Sequence, residues 1–298
     1  MRSILKAGIA LAALGLMAQP AAQALDEDIS LQRAPSGHML LPVTINGDGP
    51  YDFILDTGAS RSAVASAVAE QYGFQSDWTD FDDVQALTTR FEAEFFELPN
   101  LEFSGRPAAS LHSVVIPVEE GHPIPVAGLL GADAITSSRY TIDFMNSQLI
   151  LDTASPTRVT GLIDPIGLLI TQAEMRRAYG TVHVMIDSGS ARSIANLPLV
   201  RMAGSRMMEL RMGTVNGIDG RREESVDTLL VRDFQIGGLC IPGFQMLEGE
   251  LDIFRHLGWE DEPALILGMD ALRYTRLTID RETGTFELDG IHPRFDCE

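Results

Sequence analysis

A carboxylate stands directly after an apolar run in the first third of the chain. Residues 53–60 read Phe-Ile-Leu-Asp-Thr-Gly-Ala-Ser, so Asp56 ends a predicted strand and enters a turn. An aspartate in that place is costly unless its carboxylate is hydrogen-bonded or performs chemistry. Gly58 lets the backbone turn tightly beside it, and Thr57 offers a hydroxyl close by. The segment predicts a carboxylate that either caps the turn or takes part in catalysis.

The same arrangement returns 131 residues later, where residues 184–190 read Val-Met-Ile-Asp-Ser-Gly-Ser. Asp187 again leaves an apolar run, with Ser188 and Gly189 after it. A turn in which the aspartate caps the backbone explains one copy, but it does not explain a coordinated pair. If the two segments meet, their carboxyl groups cannot both ionise easily and must share a proton. One could then act as a general base and the other as a general acid.

A longer internal repeat accompanies the two motifs. Residues 130–152 and 267–289 align without gaps at an offset of 137 and are identical at 10 of 23 positions. Residues 49–62 and 180–193 form a second matched pair that contains the two aspartates. Because order and approximate spacing are kept in both copies, the sequence predicts an internal duplication with two similar lobes.

The local patterns are mostly those of strands. Short apolar runs alternate with glycine, proline and asparagine, which indicates a mainly β protein. Helical patterns are few and short, near residues 62–72, 133–138, 194–203 and 270–274. Asp133 and Asp270 each precede one of these stretches, so we interpret them as helix N-caps.

The start of the chain is typical of an export signal. Arg2 and Lys6 precede an apolar run of 12 residues, 7–18, and Ala-Gln-Ala follows at 22–24. This is the layout of a secretory signal peptide cleaved after Ala24, and the run is too short to span a bilayer. We predict a signal peptide at residues 1–24, an N-terminal lobe at 25–153, a linker at 154–160 and a C-terminal lobe at 161–298. The protein would be periplasmic or secreted, with no stable membrane insertion.

Composition excludes one class of partner. The chain carries 42 acidic against 22 basic residues, a formal net charge of −20, so it would repel nucleic acid. Cys240 and Cys297 are the two cysteines. They could form one disulfide in an oxidising compartment or remain free thiols. No cysteine or histidine spacing indicates a metal site.

The two motifs resemble the active-site turns of aspartic peptidases of the pepsin and retropepsin clan. Each half also has a later apolar-apolar-glycine segment, at 129–131 and 266–268, where that clan has a strand threading under the catalytic turn. The continuation Leu-Gly-x-Asp-Ala is similar to bacterial retropepsin-like domains. Ala132 and Met269 stand where retropepsins usually carry arginine, which favours an internally duplicated, two-lobed chain over a close retropepsin relative.

The resemblance implies two β-barrel lobes with an active-site cleft between them and one catalytic aspartate from each, Asp56 and Asp187. It also implies that Thr57 and Ser188 hydrogen-bond across the lobe interface. Gly58 and Gly189 would supply nearby backbone, with no metal or other cofactor. The substrates would be peptides or proteins, and a monomer would hold a complete site.

In that clan a hairpin closes over the substrate, and this chain offers two candidates for it. Residues 84–96 form one, and the segment with Gly213, Gly217 and Gly220 forms the other. Either could serve, or both could be ordinary surface hairpins. Overall the sequence predicts an exported aspartic endopeptidase that favours acidic pH. The alternative is a catalytically silent protein of the same fold that binds peptides or other ligands.

Overall fold

The computed structural model describes most of the chain. The described residues are 28–76, 79–108, 111–116, 126–175, 180–203, 213–216, 222–225, 228–231, 234–237, 239–241 and 244–290. The predicted signal peptide, Gly217, Gly220 and Cys297 therefore lie outside the described residues.

The described part of the chain is mainly β, as predicted. Residues 28–153 contain β1 (Asp28–Ser30), β2 (Gln32–Arg33), β3 (Met39–Ile45), β4 (Asp48–Leu55), β5 (Ala63–Ala65), α1 (Ser66–Gln71), β6 (Phe81–Gln85), β7 (Arg90–Leu98), β8 (Leu101–Phe103), β9 (Arg106–Pro107), β10 (Leu111–Ile116), β11 (Gly128–Leu130), β12 (Arg139–Asp143) and β13 (Gln148–Leu151). Residues 161–290 contain β14 (Gly161–Ile163), β15 (Leu169–Met175), β16 (Gly180–Ile186), β17 (Ser193–Ala195), α2 (Leu197–Ala203), β18 (Gly213–Asn216), β19 (Arg222–Ser225), β20 (Thr228–Val231), β21 (Phe234–Ile236), β22 (Leu239–Ile241), β23 (Phe244–Glu248), α3 (Asp252–His256), β24 (Ala264–Leu267), α4 (Met269–Leu272), β25 (Thr275–Asp280) and β26 (Thr285–Gly290).

Local sequence explains the first long hairpin. β3 and β4 pair antiparallel, and most of β3 is buried. The turn between them is Asn46-Gly47, and both residues have positive φ, 51° and 82°. Asparagine and glycine tolerate that left-handed backbone, which a two-residue hairpin needs to follow the strand twist. The apolar second strand then runs into Asp56.

Each half builds the same strand arrangement beneath its aspartate. In the N-terminal half, β11 pairs parallel with β4 and antiparallel with β5, and β5 pairs parallel with β10. In the C-terminal half, β24 pairs parallel with β16 and antiparallel with β17, and β17 pairs parallel with β23. The strand predicted at each apolar-apolar-glycine segment is thus central in its sheet and fixes the end of the strand that carries the aspartate.

The two halves join in one sheet of 14 strands, in which β12 pairs antiparallel with β25. Thr141 lies opposite Thr278, and their hydroxyl oxygens are 2.9 Å apart. These threonines are equivalent in the sequence repeat, since their numbers differ by 137. Equivalent residues that pair with each other indicate a local two-fold relationship between the two strands. The 10-stranded sheet belongs to the N-terminal half, and β18 and β19 form a separate pair.

One large apolar cluster draws side chains from both halves, including Leu55 and Leu130 from the first and Ile186 and Leu267 from the second. The aspartates therefore stand on strand ends that are anchored in a common core. Three predicted helical patterns correspond to α1, α2 and α4, whereas residues 133–138 contain a turn and no helix. None of the helices in the described part of the chain has the length and apolar character needed to cross a membrane.

Candidate active site

The two aspartates lie together at the ends of equivalent strands. Asp56 follows β4, and its N–H donates to the carbonyl of Leu130 at 2.9 Å. Asp187 follows β16, and its N–H donates to the carbonyl of Leu267 at 3.0 Å. The two carboxyl groups hydrogen-bond each other. Folding therefore joins two predicted site residues that are 131 positions apart in sequence.

Thr57 and Ser188 bind the two turns to each other. The Thr57 N–H donates to Ser188 Oγ, and the Ser188 N–H donates to Thr57 Oγ1, both at 3.0 Å. Thr57 Oγ1 then donates to the carbonyl of Ile186 at 3.0 Å, and Ser188 Oγ donates to the carbonyl of Leu55 at 2.7 Å. Both residues are buried, so each of these bonds replaces a hydrogen bond to water that the group lost on folding. The network fixes the position of each aspartate relative to the other.

Gly58 and Gly189 leave room for the opposite carboxyl group. A β-carbon built on Gly58 would lie 2.5 Å from Asp187 Cγ, and one on Gly189 would lie 2.2 Å from Asp56 Cγ. Both distances are far below carbon–carbon contact. Neither glycine has a positive φ, so backbone conformation does not select glycine here. Glycine is required because the opposite carboxyl group lies too close for a side chain.

Backbone amides point at the carboxyl groups. The N–H groups of Gly58 and Gly189 each donate to Oδ1 of the aspartate two residues earlier, at 2.8 Å. Ser190 N–H also donates to Asp187 Oδ1, at 3.1 Å. Such donors favour the ionised form of an aspartate and hold its orientation.

Burial opposes ionisation of the same pair. Asp187 is 2% exposed, and Asp56 is partly buried beside it. Loss of hydration raises the pKa of Asp56. Loss of hydration raises the pKa of Asp187 well above its usual value, and the neighbouring charge of Asp56 raises it further. The pair therefore retains a proton at a pH where isolated aspartates have lost theirs, and the proton belongs to the pair rather than to one residue.

Asp133 and Asp270 support the turns, and the prediction that they cap helices is wrong. Asp133 Oδ1 accepts from Ser62 N–H and Oγ at 2.9 and 2.7 Å. Asp270 Oδ1 accepts from Ser193 N–H and Oγ at the same two distances. The residue at the N-cap of α4 is Gly268. Both carboxylates instead tie the strand after the aspartate turn to the segment after the threading strand.

The serines complete that connection. Ser62 Oγ accepts from Gly131 N–H, and Ser193 Oγ accepts from Gly268 N–H, both at 3.0 Å. The matched segments of the sequence contain these serines and aspartates but do not show that they contact each other. The signal was present, because Ser62 and Asp133 recur together as Ser193 and Asp270.

The hairpin of β6 and β7 reaches from the N-terminal half to the C-terminal half. At its tip, the Leu87 carbonyl accepts from Ile253 N–H at 3.2 Å. Gln85 Nε2 donates to Asp252 Oδ2 at 3.2 Å, and the Leu87 side chain packs on an apolar cluster that includes Met185. This is the first of the two predicted flap candidates. For the second, the structure describes strands β18 and β19, but their connection lies outside the described residues.

A cavity of about 330 Å³ opens beside Asp56 and Thr57. Ala132 and the turn that contains Ile166 and Gly167 line it, together with mostly apolar side chains from β12, β15 and β25. Its position beside one carboxyl group makes it a candidate binding space for part of a ligand.

Three further residues lie away from the carboxyl pair. Arg192 pairs with Asp270 at 3.3 Å, and Arg61 lies over the Phe95 ring at 5.5 Å. Both therefore act within their own halves. Cys240 is disulfide-bonded, while Cys297 lies outside the described residues.

Comparison with known proteins gives one family. A family model for aspartyl proteases matches residues 41–134 of the chain. The matched region contains the first aspartate turn and its threading strand. No curated protein matches the chain. The match supports an aspartyl protease family and, at that level, a hydrolase that acts on proteins.

Proposed function

We propose that the chain is an aspartic endopeptidase in which Asp56 and Asp187 are the catalytic pair. The observation that carries this proposal is the direct hydrogen bond between the two carboxyl groups. A protein gains no stability from placing two carboxyl groups together out of water, so their placement favours a chemical role. The reciprocal bonds of Thr57 and Ser188 would hold the pair in position through the reaction.

The pair would carry out both proton transfers of peptide hydrolysis. The ionised carboxylate takes a proton from a water molecule as its oxygen attacks the carbonyl carbon of the substrate. The protonated carboxyl group gives its proton to the carbonyl oxygen, which leaves a neutral tetrahedral intermediate. In the second step the carboxyl group that now holds the proton gives it to the peptide nitrogen, the other carboxylate takes a proton from a hydroxyl of the intermediate, and the C–N bond breaks. The two carboxyl groups then hold one proton again, ready for the next cycle.

This mechanism predicts activity at acidic pH. It needs one proton on the pair, and burial extends the pH range in which one proton remains. Activity falls when rising pH removes that proton, and it falls again when strong acid protonates both groups.

The architecture that fits this function is two-lobed and internally duplicated, of the bacterial retropepsin-like type. The lobes would comprise residues 25–153 and 161–298, joined by the linker 154–160, with the substrate in a cleft between them. Support comes from the repeated strand order and from the pairing of Thr141 with Thr278. Because one chain would supply both aspartates, a monomer would be sufficient.

We also propose that the protein is exported, to the periplasm or beyond, after removal of residues 1–24. The support is the charged start, the short apolar run and the Ala-Gln-Ala sequence. N-terminal sequencing of protein recovered outside the cytoplasm tests this part. The first residue should be Leu25, because residues 1–24 would have been removed.

Cleavage of an unfolded protein from about pH 3 to 7 tests the function. Wild-type protein should cut, most rapidly in acid, and a statine-type transition-state analogue should inhibit it. Asp56→Asn and Asp187→Asn should each abolish cutting. Asp52→Asn is the matched control, because Asp52 lies on the strand that leads into Asp56 but outside the pair. A folded wild-type protein that cuts nothing under these conditions contradicts the proposal.

A further inference from the structure

His38 is a buried histidine that contacts the second aspartate turn from the opposite half of the chain. It is 3% exposed and lies just before β3. Its Nε2 is 2.9 Å from the carbonyl oxygen of Gly189, and its Nδ1 is 2.8 Å from Ser36 Oγ. A histidine so enclosed, with both ring nitrogens engaged, is held in one orientation.

The partners determine which nitrogen carries the hydrogen. A carbonyl oxygen only accepts, so Nε2 carries the hydrogen and donates to Gly189. Nδ1 is then the acceptor, and the Ser36 hydroxyl donates to it. Burial lowers the pKa of His38, which favours this neutral form, although the bond to Gly189 acts in the opposite direction.

The bond to Gly189 reaches Asp187 through one peptide unit. The carbonyl of Gly189 and the N–H of Ser190 belong to the same planar group. That N–H donates to Asp187 Oδ1 at 3.1 Å. A donor on the carbonyl oxygen therefore fixes the direction of the amide that holds the carboxylate, and it also polarises that amide.

Among the described residues, the turn of the other aspartate has no equivalent histidine. Residues 34–38 and 164–168 form equivalent turns, with Gly37 at φ 94° and Gly167 at φ 97°. In each turn the first residue donates its N–H to the carbonyl of the last, Ala34 to His38 at 3.0 Å and Asp164 to Leu168 at 2.9 Å. Leu168 thus occupies the place of His38, and its side chain has no donor. The two carboxyl groups are consequently held differently, in otherwise matching frames.

We propose that His38 is a positioning residue for Asp187 and acts through the Gly189–Ser190 peptide. The catalytic consequence rests on the proposed function, whereas the effect on the Asp187 carboxyl group does not. His38 keeps the Ser190 N–H aimed at Oδ1 and so stabilises the ionised, correctly oriented carboxylate. It does not contact the reacting atoms itself.

Two substitutions separate the hydrogen bond from packing. His38→Leu copies the residue that the C-terminal half has at the equivalent place, so the turn should fold. His38→Gln keeps an N–H donor at the distance of Nε2 and carries no charge. If the leucine variant loses the effect on Asp187 and the glutamine variant recovers it, the effect comes from the hydrogen bond to the Gly189 carbonyl.

The first measurement follows the Asp187 carboxyl group by carbon-13 NMR in an Asp56→Asn background, where it titrates alone. His38→Leu should move its midpoint to higher pH, because the Ser190 N–H that favours the ionised form is then less well aimed. His38→Gln should restore it. An unchanged midpoint in His38→Leu overturns the proposal, and so does a shift that glutamine does not restore.

The second measurement is peptide cleavage with Asp56 intact. His38→Leu should lower kcat roughly 10- to 100-fold, the scale expected when a reacting group is displaced, with KM within about twofold. His38→Gln should recover most of kcat. A loss confined to KM overturns the positioning role. If the wild-type protein cuts nothing, the proposed function fails, but the titration still decides the role of His38.

Discussion

Thr57 and Ser188 exchange hydrogen bonds with each other's backbone across the two halves of the chain. Each residue's N–H donates to the other's hydroxyl oxygen at 3.0 Å. Each hydroxyl also donates to the carbonyl two residues before the partner, in Ile186 and Leu55. The arrangement is self-complementary, as expected at a two-fold axis. These four hydrogen bonds, rather than the packing of the loops, therefore set the distance between the two aspartates.

Removing one hydroxyl should weaken both the fold and the site. Thr57→Ala leaves the Ser188 N–H and the Ile186 carbonyl without partners in a buried place. We expect a loss of about 1–3 kcal/mol in unfolding free energy, measured by urea denaturation. Thr57→Ser is the control, since it retains the oxygen and should lose less than about 1 kcal/mol.

The two hydroxyls should behave as one unit. Thr57→Ala combined with Ser188→Ala should destabilise the protein by less than the sum of the single changes, with a coupling of about 0.5–3 kcal/mol. Additive losses would contradict a reciprocal network.

A single methyl group beside the pair should disrupt it. The β-carbon of Gly58→Ala would overlap the Asp187 carboxyl group, with 2.5 Å to its Cγ. The turns must therefore separate, and a displacement of about 1 Å can cost on the order of 100-fold in rate. We expect at least that loss in kcat/KM, measured on folded protein.

Gly73→Ala is the control for this change. Gly73 has φ 98°, and no atom lies within 4 Å of the place that a β-carbon would take, so alanine there strains the backbone without crowding any neighbour. It should lower stability by about 1–2 kcal/mol and leave kcat/KM unchanged. Full activity in Gly58→Ala would mean that the pair tolerates separation.

Stability should depend on pH through the pair. The folded protein holds its proton more tightly than the unfolded chain, because burial raises the pKa of both aspartates. This contribution is complete below the ordinary aspartate pKa of about 3.9 and is lost as pH rises through the folded value. The unfolding free energy of the wild type, relative to that of Asp187→Asn, should therefore fall as pH rises from about 4.

The comparison with Asp187→Asn removes the effects of other groups. Asp143, for example, has a pKa that burial tends to raise but that hydrogen bonds from Asn146 and Arg276 lower overall. Its contribution is lost as pH falls, which is the opposite direction, and it is present in both proteins. A constant difference between the two proteins over this pH range would contradict a shared proton.

Much of the site can be predicted from the sequence, because both aspartate motifs lie in the repeated segments. Asp-Thr-Gly at 56–58 is matched by Asp-Ser-Gly at 187–189, and two similar halves have one simple way to bring the two sets together. The hairpin over residues 140–151 was also predictable, since its apolar strands flank Asn146 and Ser147. These features depend on local pattern and on symmetry, and both are present in a linear chain.

The contacts between distant segments were not predictable in this way. Asp133 stands before a helical pattern, and capping is the common local role of such a residue. Its partner Ser62 is 71 positions away, and only the threading strand brings them together. Contacts of this kind depend on packing, and in the sequence only the joint recurrence of Ser62 and Asp133 as Ser193 and Asp270 indicates this one. The position equivalent to His38 holds Leu168, so the repeat does not mark the histidine as a site residue.

The β6–β7 hairpin should open when its tip is released. Leu87→Ser removes apolar packing, and Gln85→Ala removes the bond to Asp252. Fewer contacts lower the free energy of local opening, so hydrogen exchange of residues 81–98 should accelerate by about tenfold or more for the double change. If this hairpin serves as the flap, KM for peptides should rise.

Asp83→Asn is the matched control for the hairpin. It breaks an exposed ion pair with Arg90 at 2.6 Å but leaves the tip intact. Exposed pairs contribute little, so exchange should remain close to that of the wild type. If hydrogen exchange accelerates equally in the control, the contacts that stabilise the hairpin lie within it and not at its tip.

The cavity beside Asp56 is lined by an alanine at a position where the other half has a larger residue. Ala132 lines it, whereas the repeat-equivalent position holds Met269, which is 2% exposed. The residue equivalent to Arg281 in the cavity wall is Phe144, which is fully buried. The two sides of the pair therefore differ in the side chains at these equivalent positions.

Filling the cavity should change which peptides are cut. Ala132→Met places at this side the residue that the other half already uses, and it should exclude bulky apolar side chains from one substrate position. Burial of such a side chain is worth about 1.5–3 kcal/mol, so we expect roughly a 10- to 100-fold loss in kcat/KM for those peptides. Peptides with a small residue there should be cut as before. Ala132→Ser, which adds little volume, is the control. A uniform loss over a peptide library would show that the cavity does not select substrates.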